Sequence, residues 1–599
     1  MARGTTAPEI TDAGEDQLNP LDLSESRPAK QRKLGHSGAG DLYPRKRSTL
    51  ACDVCRARRT KCDGQRPTCS FCETNGASCV YRPIAEPPPT KLELELGTIR
   101  NRLENIEGLL SKSSTKENEH HDRKGYMQTS ISDDKTFPIM VIQNRLFMHL
   151  VGIEYDLADY LVQLERTHRQ QKQETGLSGR MFVLQHHRAL NALTTFYQMV
   201  HCWYPIIPPT FTEQYIATIE GPLPPSSESC LVLMVAATGT LLDTNQASNI
   251  QSRRMDTNYS EAAFGMLSSV VTDFSITAVQ SLILIALYFC CLLEPLPAYD
   301  YILMASLKMQ NLIKNQPNDQ VSSEQIRRSY WAILLIESEL TIQIRLVESG
   351  IWMLDEEIPL PTIHSTWTKS PISSPAFPSP GSVAHSVYSA SSTEQCEPYY
   401  LAEIAMRRML HRCTTSIQIG QDGSPTYAPI VAAELIWQLD EWYHHLPTQL
   451  SFDRVNDSDQ HTEFPLALFL RTQYYSCQAS IYWPAAYQAI ISGVAGSDLL
   501  TTCQKFFDSY IKYMMSIQVS VERCAPNAWT LYASVFIFTM AASTAAATPC
   551  LHGCMSVDLE RCFGMANEVF DPISDRSPSL AFLQNLLKEK IHGSYRLSR

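Results

Sequence analysis

Polar and apolar residues fall along this chain in blocks with different periods. Residues 1–43 are polar with no apolar periodicity, which predicts a disordered arm; within it, acids alternate with Leu18, Leu21 and Leu23, a pattern found in disordered activation segments. Between Leu92 and Leu110 the apolar positions Leu92, Leu96, Ile99, Leu103, Ile106 and Leu110 recur at 4-3-4-3-4 spacing, the seam of a short coiled coil over 92–111. Set side by side in parallel, two such helices place Glu95 opposite Arg100 and Arg102 opposite Glu107, so a homodimer is expected; a helix packed on its own body is the alternative. A proline-rich linker (84–91) precedes the coil and a polar, flexible linker (112–135) follows it.

From residue 136 to 599 apolar residues recur at helical spacing and β-branched alternation is scarce, predicting a large, all-helical body. Leu435, Leu439, Trp442 and Leu446 form one such stripe, stopped by Pro447, and others run from Ile326 to Leu346 and from Leu466 to Tyr487. The segment 364–395, containing SPISSPAFPSPGS, interrupts this pattern and predicts a disordered loop. Its pairs Ser370-Pro371, Ser374-Pro375 and Ser379-Pro380 are candidate sites for a proline-directed kinase, although a tolerated insertion explains them as well. The fold class expected is therefore mainly α, in several domains, as a length of 599 residues with 44% apolar and 19% charged content implies. The longest uninterrupted apolar run, Leu282 to Leu293, has twelve residues, and no membrane span is predicted.

One stretch departs from both periods. Between Cys52 and Cys79 six cysteines follow C-x2-C-x6-C-x6-C-x2-C-x6-C, two copies of C-x2-C-x6-C that begin seventeen residues apart. Zinc takes four tetrahedral thiolate or imidazole ligands, and no histidine lies in the stretch, so two Zn2+ ions need eight ligand places from six sulfurs. Two sulfurs must bridge, and the internal symmetry points to Cys52 and Cys69, leaving Cys55 and Cys62 to one ion and Cys72 and Cys79 to the other. A segment this short cannot bury a useful core, so metal binding would supply its folding energy, about 10–16 kcal/mol for structural zinc peptides. A disulfide framework needs an oxidising compartment and an export signal, which the polar N-terminus does not resemble. A single four-cysteine site would leave Cys62 and Cys79 idle at identical offsets, and a redox pair lacks a strand–helix setting. Between residues 44 and 83, nine Lys/Arg against three Asp/Glu leave +6, whereas the whole chain carries −12 and the remainder therefore −18. Two zincs on six thiolates bring the module to about +4, a charge suited to nucleic acid, while the acidic remainder should repel it.

These cysteines, the basic run after the second of them and Arg66-Pro67 before the fourth resemble the fungal binuclear zinc cluster family of transcription regulators. The resemblance implies a DNA-binding domain over 44–83 in which each half carries a short helix. The first helix, holding Arg56, Ala57, Arg58, Arg59, Thr60 and Lys61, would enter the major groove by its N-terminal end over a CGG triplet. Guanine O6 and N7 suit Arg58 and Arg59 as base readers, with Arg56, Lys61 and Arg66 on phosphates. The family usually has lysine where Arg59 stands. The second copy, with Glu73, Thr74, Asn75 and Gly76 in the matching place, would brace rather than read.

The resemblance extends into the body. His201-Cys202-Trp203-Tyr204-Pro205-Ile206-Ile207, and Arg327-Arg328-Ser329-Tyr330-Trp331 through Ile358-Pro359-Leu360-Pro361, look like motifs of that family's helical regulatory domain. Lys30, Arg32 and Lys33 with Arg45, Lys46 and Arg47 resemble a two-part nuclear import signal, unless the second cluster is only the arm of the DNA module. The expectation is a nuclear regulator of RNA polymerase II transcription that acts on double-stranded DNA as a homodimer, meets the transcription machinery or coactivators, and controls a gene set such as a metabolite biosynthetic cluster. Competing readings are a repressor of a catabolic pathway, a body that senses a small-molecule effector, and an enzyme with an appended zinc arm. No phosphate-binding loop, nucleophile elbow or HExxH is present, so no catalytic residue and no enzyme are predicted. The remaining twelve cysteines read as reduced core thiols; Cys550, His552, Cys554 and Cys562 have donors enough for a further zinc, but proximity is expected in a body so rich in cysteine.

Overall fold

The computed structural model of the chain describes residues 51–81, 142, 145–174, 186–243, 256–315, 323–344, 346–362, 367, 396–416, 418–419, 425–454, 464–573 and 576–597. The N-terminal arm, the import clusters, the linkers, the predicted coil and, apart from Trp367, the 364–395 segment lie outside these residues. The chain divides into two compact units, Met1–Gln128 and Thr129–Arg599.

In the first unit the described residues hold two one-turn helices, α1 (Asp53–Ala57) and α2 (Ser70–Thr74). The sequence reading put Arg58–Lys61 inside the first helix, whereas α1 ends at Ala57, Arg58 caps it and Arg59 adopts a left-handed backbone (φ 53°). The N–H of Thr60 then turns back to the Cys55 carbonyl at 3.0 Å, a bond that carries the chain out of the helix.

The second unit is mainly α. Along the chain it runs α3 (Arg145–Leu150), α4 (Leu157–Glu174), α5 (His186–Phe196) with a π turn over Tyr197–His201, α6 (Phe211–Glu220), α7 (Ser227–Leu241), α8 (Asp256–Phe264), α9 (Leu267–Thr272), α10 (Ile276–Cys291), α11 (Pro295–Asn315), α12 (Glu324–Gln343), α13 (Cys396–Ser416), α14 (Pro429–His444), α15 (Pro465–Ser492), α16 (Ser497–Arg523), α17 (Ala528–Ala546), α18 (Asp558–Phe570) and α19 (Pro578–Leu597). Among the described residues the extended pairing is a two-residue antiparallel contact, Gln418 opposite Thr426.

Local chemistry sets several ends. Ser226 and Ser275 cap α7 and α10 by accepting the N–H of Ser229 and of Ala278. Pro429 and Pro465 open α14 and α15, where a missing N–H costs nothing. Gly493, left-handed at φ 67°, ends α15, so α15 and α16 fold back as a long hairpin. Helices α7, α10 and α17 are apolar nearly all round and occupy the interior. Helix α10 packs on α7, α11 and α12; α17 packs on α16, α19 and α12 and touches α10, joining the earlier helices to the later ones. Gly239 lets α7 lie directly on α5: a Cβ there would sit 1.9 Å from the Ala192 carbonyl oxygen. The stripe on α14 faces inward, with Leu435 and Leu439 buried and the Trp442 indole donating to the Ala402 carbonyl on α13.

Among the described residues one helix, spanning Ala525–Ala546, is long and apolar enough to cross a membrane; Thr530, Ser534, Thr539 and Ser543 break its apolar run in the sequence. In the fold 89% of its most apolar window is buried, as befits a core helix.

The two sequence motifs of the body meet in this interior. Arg328 on α12 is 1% exposed; it donates to Glu324 at 2.6 Å, to the Thr362 carbonyl at 2.9 Å and to the Pro205 carbonyl at 3.5 Å. The Trp331 indole donates to the Pro359 carbonyl, and the Tyr204 hydroxyl to Asn527 just ahead of α17. His201 is enclosed against the Ile207 carbonyl, and burial lowers its pKa to about 4, so it is a neutral packing residue.

Candidate metal centre and nucleic-acid interface

The six-cysteine stretch closes on itself through its sulfurs. Cys52 is the N-cap of α1, its Sγ accepting the Cys55 N–H at 3.4 Å; Cys69 is the N-cap of α2. The two copies are backbone repeats at the seventeen-residue offset: Arg56 N–H bonds to the Cys52 carbonyl as Glu73 N–H does to that of Cys69, and Thr60 to Cys55 as Ala77 to Cys72. The left-handed residue of each copy is likewise paired, Arg59 (φ 53°) with Gly76 (φ 60°). Glycine takes that conformation freely; arginine takes it at a cost of about 1–2 kcal/mol. In the first copy, then, an arginine is kept where the backbone favours glycine.

Cys52, Cys55, Cys69 and Cys72 are fully buried, and Cys62 and Cys79 are half-buried at the edges. Two groups of four form, Cys52, Cys55, Cys62 and Cys69, and Cys52, Cys69, Cys72 and Cys79, with all sulfurs of a group within 4.8 Å of one another. Both contain Cys52 and Cys69. Sulfurs at tetrahedral corners around a zinc with Zn–S near 2.3 Å stand roughly 3.8 Å apart. The observed separations of 3.8 Å (Cys52–Cys69), 3.6 Å (Cys52–Cys72) and 3.7 Å (Cys55–Cys69) match that edge, so the donor set fits two Zn2+ ions. The Cys55 backbone N–H lowers the Cys52 thiol to about 6, whereas burial pushes Cys72 up to about 12.

Around the sulfurs the side chains divide by copy. Arg56, Arg58, Arg59 and Lys61 are all exposed, fanning from the C-terminal end of α1 and the turn after it. The N-terminal end of α1 is closed by the buried Cys52 and by the bond from Asp53 N–H to the Val80 carbonyl at 2.9 Å. The exposed cations therefore stand at the C-terminal end of α1 and in the turn after it, where the helix dipole is negative, and not at the end that Cys52 closes. The matching residues of the second copy, Glu73, Thr74, Asn75 and Gly76, are exposed and carry no cation.

Two residues that the sequence reading passed over organise the connection between copies. Asp63 accepts the Ser70 N–H at 3.2 Å, the Ser70 hydroxyl and the Gln65 N–H, and these bonds hold its carboxyl below the usual range. Tyr81 bonds to the Gln65 carbonyl and lies beside Cys62. Both stand outside the repeated positions, and an offset search alone does not find them.

In the body no comparable centre forms among the described residues. Cys550 and Cys554 lie on a 3-10 turn and bond to the carbonyls of Ala489 and Leu500, while Cys562 is buried. His187, His444 and His445 are exposed on helices.

Comparison with known proteins agrees with both units. A family described as the fungal Zn(2)-Cys(6) binuclear cluster domain matches residues 50–87, and one described as the fungal specific transcription factor domain matches residues 193–443. The protein ecdB of Aspergillus rugulosus, named as a transcription factor, is 37% identical over 573 residues, covering 91% of this chain and 98% of its own. Shorter similarities reach the ABC-transporter-regulating transcription factor of Aspergillus oryzae (33% over 97 residues, 16% of this chain and 11% of that one) and the notoamide biosynthesis cluster transcriptional coactivator notQ' of Aspergillus versicolor (30% over 109 residues, 17% and 21%). No solved structure matches the chain.

Proposed function

We propose that this chain, which belongs to the fungal Zn(2)-Cys(6) transcription factors, is a nuclear, sequence-specific regulator of RNA polymerase II transcription that reads CGG half-sites from the C-terminal end of α1. The observation that carries the reading is the pair of four-sulfur groups with Cys52 and Cys69 in common. Cys52, Cys55, Cys62 and Cys69 would hold one Zn2+ ion and Cys52, Cys69, Cys72 and Cys79 the other, with Cys52 and Cys69 serving both. Bound zinc supplies the cross-links that hold the two copies together. Arg58 and Arg59 approach guanine O6 and N7, where a planar guanidinium donates two parallel hydrogen bonds. Arg56, Lys61 and Arg66 take phosphates, which set register without reading sequence. The left-handed arginine supports this assignment, since backbone cost is retained where a side chain is needed at a site.

Residues 44–83 form the DNA-binding module, 92–111 a dimerising coil that carries two modules onto two half-sites, and 136–599 the regulatory domain. Lys30, Arg32, Lys33, Arg45, Lys46 and Arg47 serve nuclear import. The relative named for a biosynthesis cluster supports a gene set of that kind as the target. The test measures zinc in the full-length chain and selects binding sites from randomised duplexes. Two zincs per chain and enrichment of paired CGG triplets are expected; one zinc, or retention without sequence preference, overturns the bridged centre and its readers.

A further inference from the structure

Tyr81, two residues past the last cysteine, touches three parts of the module at once. Its single hydroxyl hydrogen has two acceptors in reach, the Gln65 carbonyl at 3.0 Å and Cys62 Sγ at 3.7 Å, and is shared between them once the sulfur is a thiolate that can only accept. The guanidinium carbon of Arg66 stands 5.1 Å over its ring. The residue is half-buried against the sulfur cluster, and the bond from Asp53 N–H to the neighbouring Val80 carbonyl pins its backbone to the start of α1. At the seventeen-residue offset its counterpart in the first copy is Gly64, so the repeat holds no second such contact.

We propose that Tyr81 is a positioning residue that couples the metal centre to the DNA-facing surface. The hydroxyl orients the Cys62 sulfur and the following loop, and the ring holds the Arg66 guanidinium ready for a phosphate. Metal-bound side chains depend on outer hydrogen bonds for their orientation, and Cys62, half-buried at the edge of the centre, is not held by enclosure as Cys52, Cys55, Cys69 and Cys72 are. An arginine over an aromatic face is drawn to the ring, and a cation already placed loses less freedom when it meets its phosphate. The inference rests on the two-zinc, DNA-binding reading above.

The hydroxyl and the ring separate by mutation. Full-length wild type, Tyr81→Phe, Tyr81→Leu and Arg66→Ala are loaded with zinc. They are compared by transfer of zinc to a chromogenic chelator and by the salt dependence of binding to a mixed-sequence duplex. Tyr81→Phe is expected to lower zinc affinity about tenfold, the low end for loss of an outer-shell partner, with an unchanged salt slope. Tyr81→Leu should match it in zinc affinity and also flatten the slope of log K against log salt by about 0.9, as Arg66→Ala does. Wild-type zinc affinity in Tyr81→Phe, or a wild-type salt slope in Tyr81→Leu, overturns the proposal while leaving the parent reading intact. A wild-type chain without two zincs overturns both. The thermal transition of the helical body, unchanged in every variant, shows that the chains are folded.

Discussion

In residues 51–81 the fully buried side chains are Cys52, Cys55, Cys69 and Cys72; in the body they include Trp331, Trp483, Tyr215 and Phe196, packed through α7, α10 and α17. One region is held by sulfur and the metal that sulfur binds, the other by apolar contact. The difference teaches why the two regions carry different kinds of information in their sequence. A metal centre tolerates almost any side chain between its ligands, so the intervening positions are left for Arg56, Arg58, Arg59 and Lys61. A packed helix must spend one face on its neighbours, and its identity is written mostly as periodicity.

The largest effect should come from breaking the sulfur core. Cys69→Ser removes a sulfur common to both groups and should take the chain from two zincs to none and abolish DNA retention, whereas Cys79→Ser should leave one zinc; metal analysis distinguishes them. In both variants the thermal transition of the body should be unmoved, and its collapse would break the comparison. The reciprocal change lies in the body: Arg328→Ala strips the buried donor from the Thr362 and Pro205 carbonyls while Arg327 still pairs with Glu324, and should cost about 1.5–3 kcal/mol in denaturant unfolding, with the zinc content unaltered.

A smaller effect sharpens the contrast within the module. Arg59→Gly relieves the left-handed backbone and should stabilise the zinc-loaded module by about 1 kcal/mol in chelator competition, while sequence preference falls. Gly76→Arg should show the cost without the gain. The mildest test concerns acidity. Burial raises the Glu403 carboxyl in the body from its usual value near 4.5 to about 7, against the opposing pull of the Arg407 guanidinium 3.5 Å away. The folded state therefore keeps a proton that the unfolded chain has already lost, and stability falls as pH rises between those values. Glu403→Gln should remove that part of the slope in pH-dependent melting. A slope that survives would place the titrating group elsewhere.

How much of this was legible beforehand differs by region for the same physical reason. The spacing of six cysteines is read directly because ligand number and tetrahedral geometry leave few solutions, and the offset of seventeen residues makes the two copies visible. The direction in which α1 presents its cations was not legible. It depends on where the helix stops, and that is set by the Thr60–Cys55 bond and the conformation of Arg59, one residue beyond what a periodic pattern can locate. Tyr81 and Asp63 were likewise hidden, because their partners Cys62, Gln65 and Ser70 are reached by chain reversal rather than by register.

For the body, the α14 stripe and the long α15 segment were readable from spacing, since amphipathic periodicity is a local property. The all-round apolar α17 was not, because polar interruptions hide it and only burial among α10, α12, α16 and α19 explains its composition. The sequence by itself determined the metal, the copy number of its sites and the charge that meets DNA, because each follows from residue type and spacing. Only the tertiary structure decided which end of α1 faces outward, that Arg328 joins two motifs more than a hundred residues apart, and that Tyr81 reaches back to Cys62, because each depends on where the folded chain brings distant backbone together.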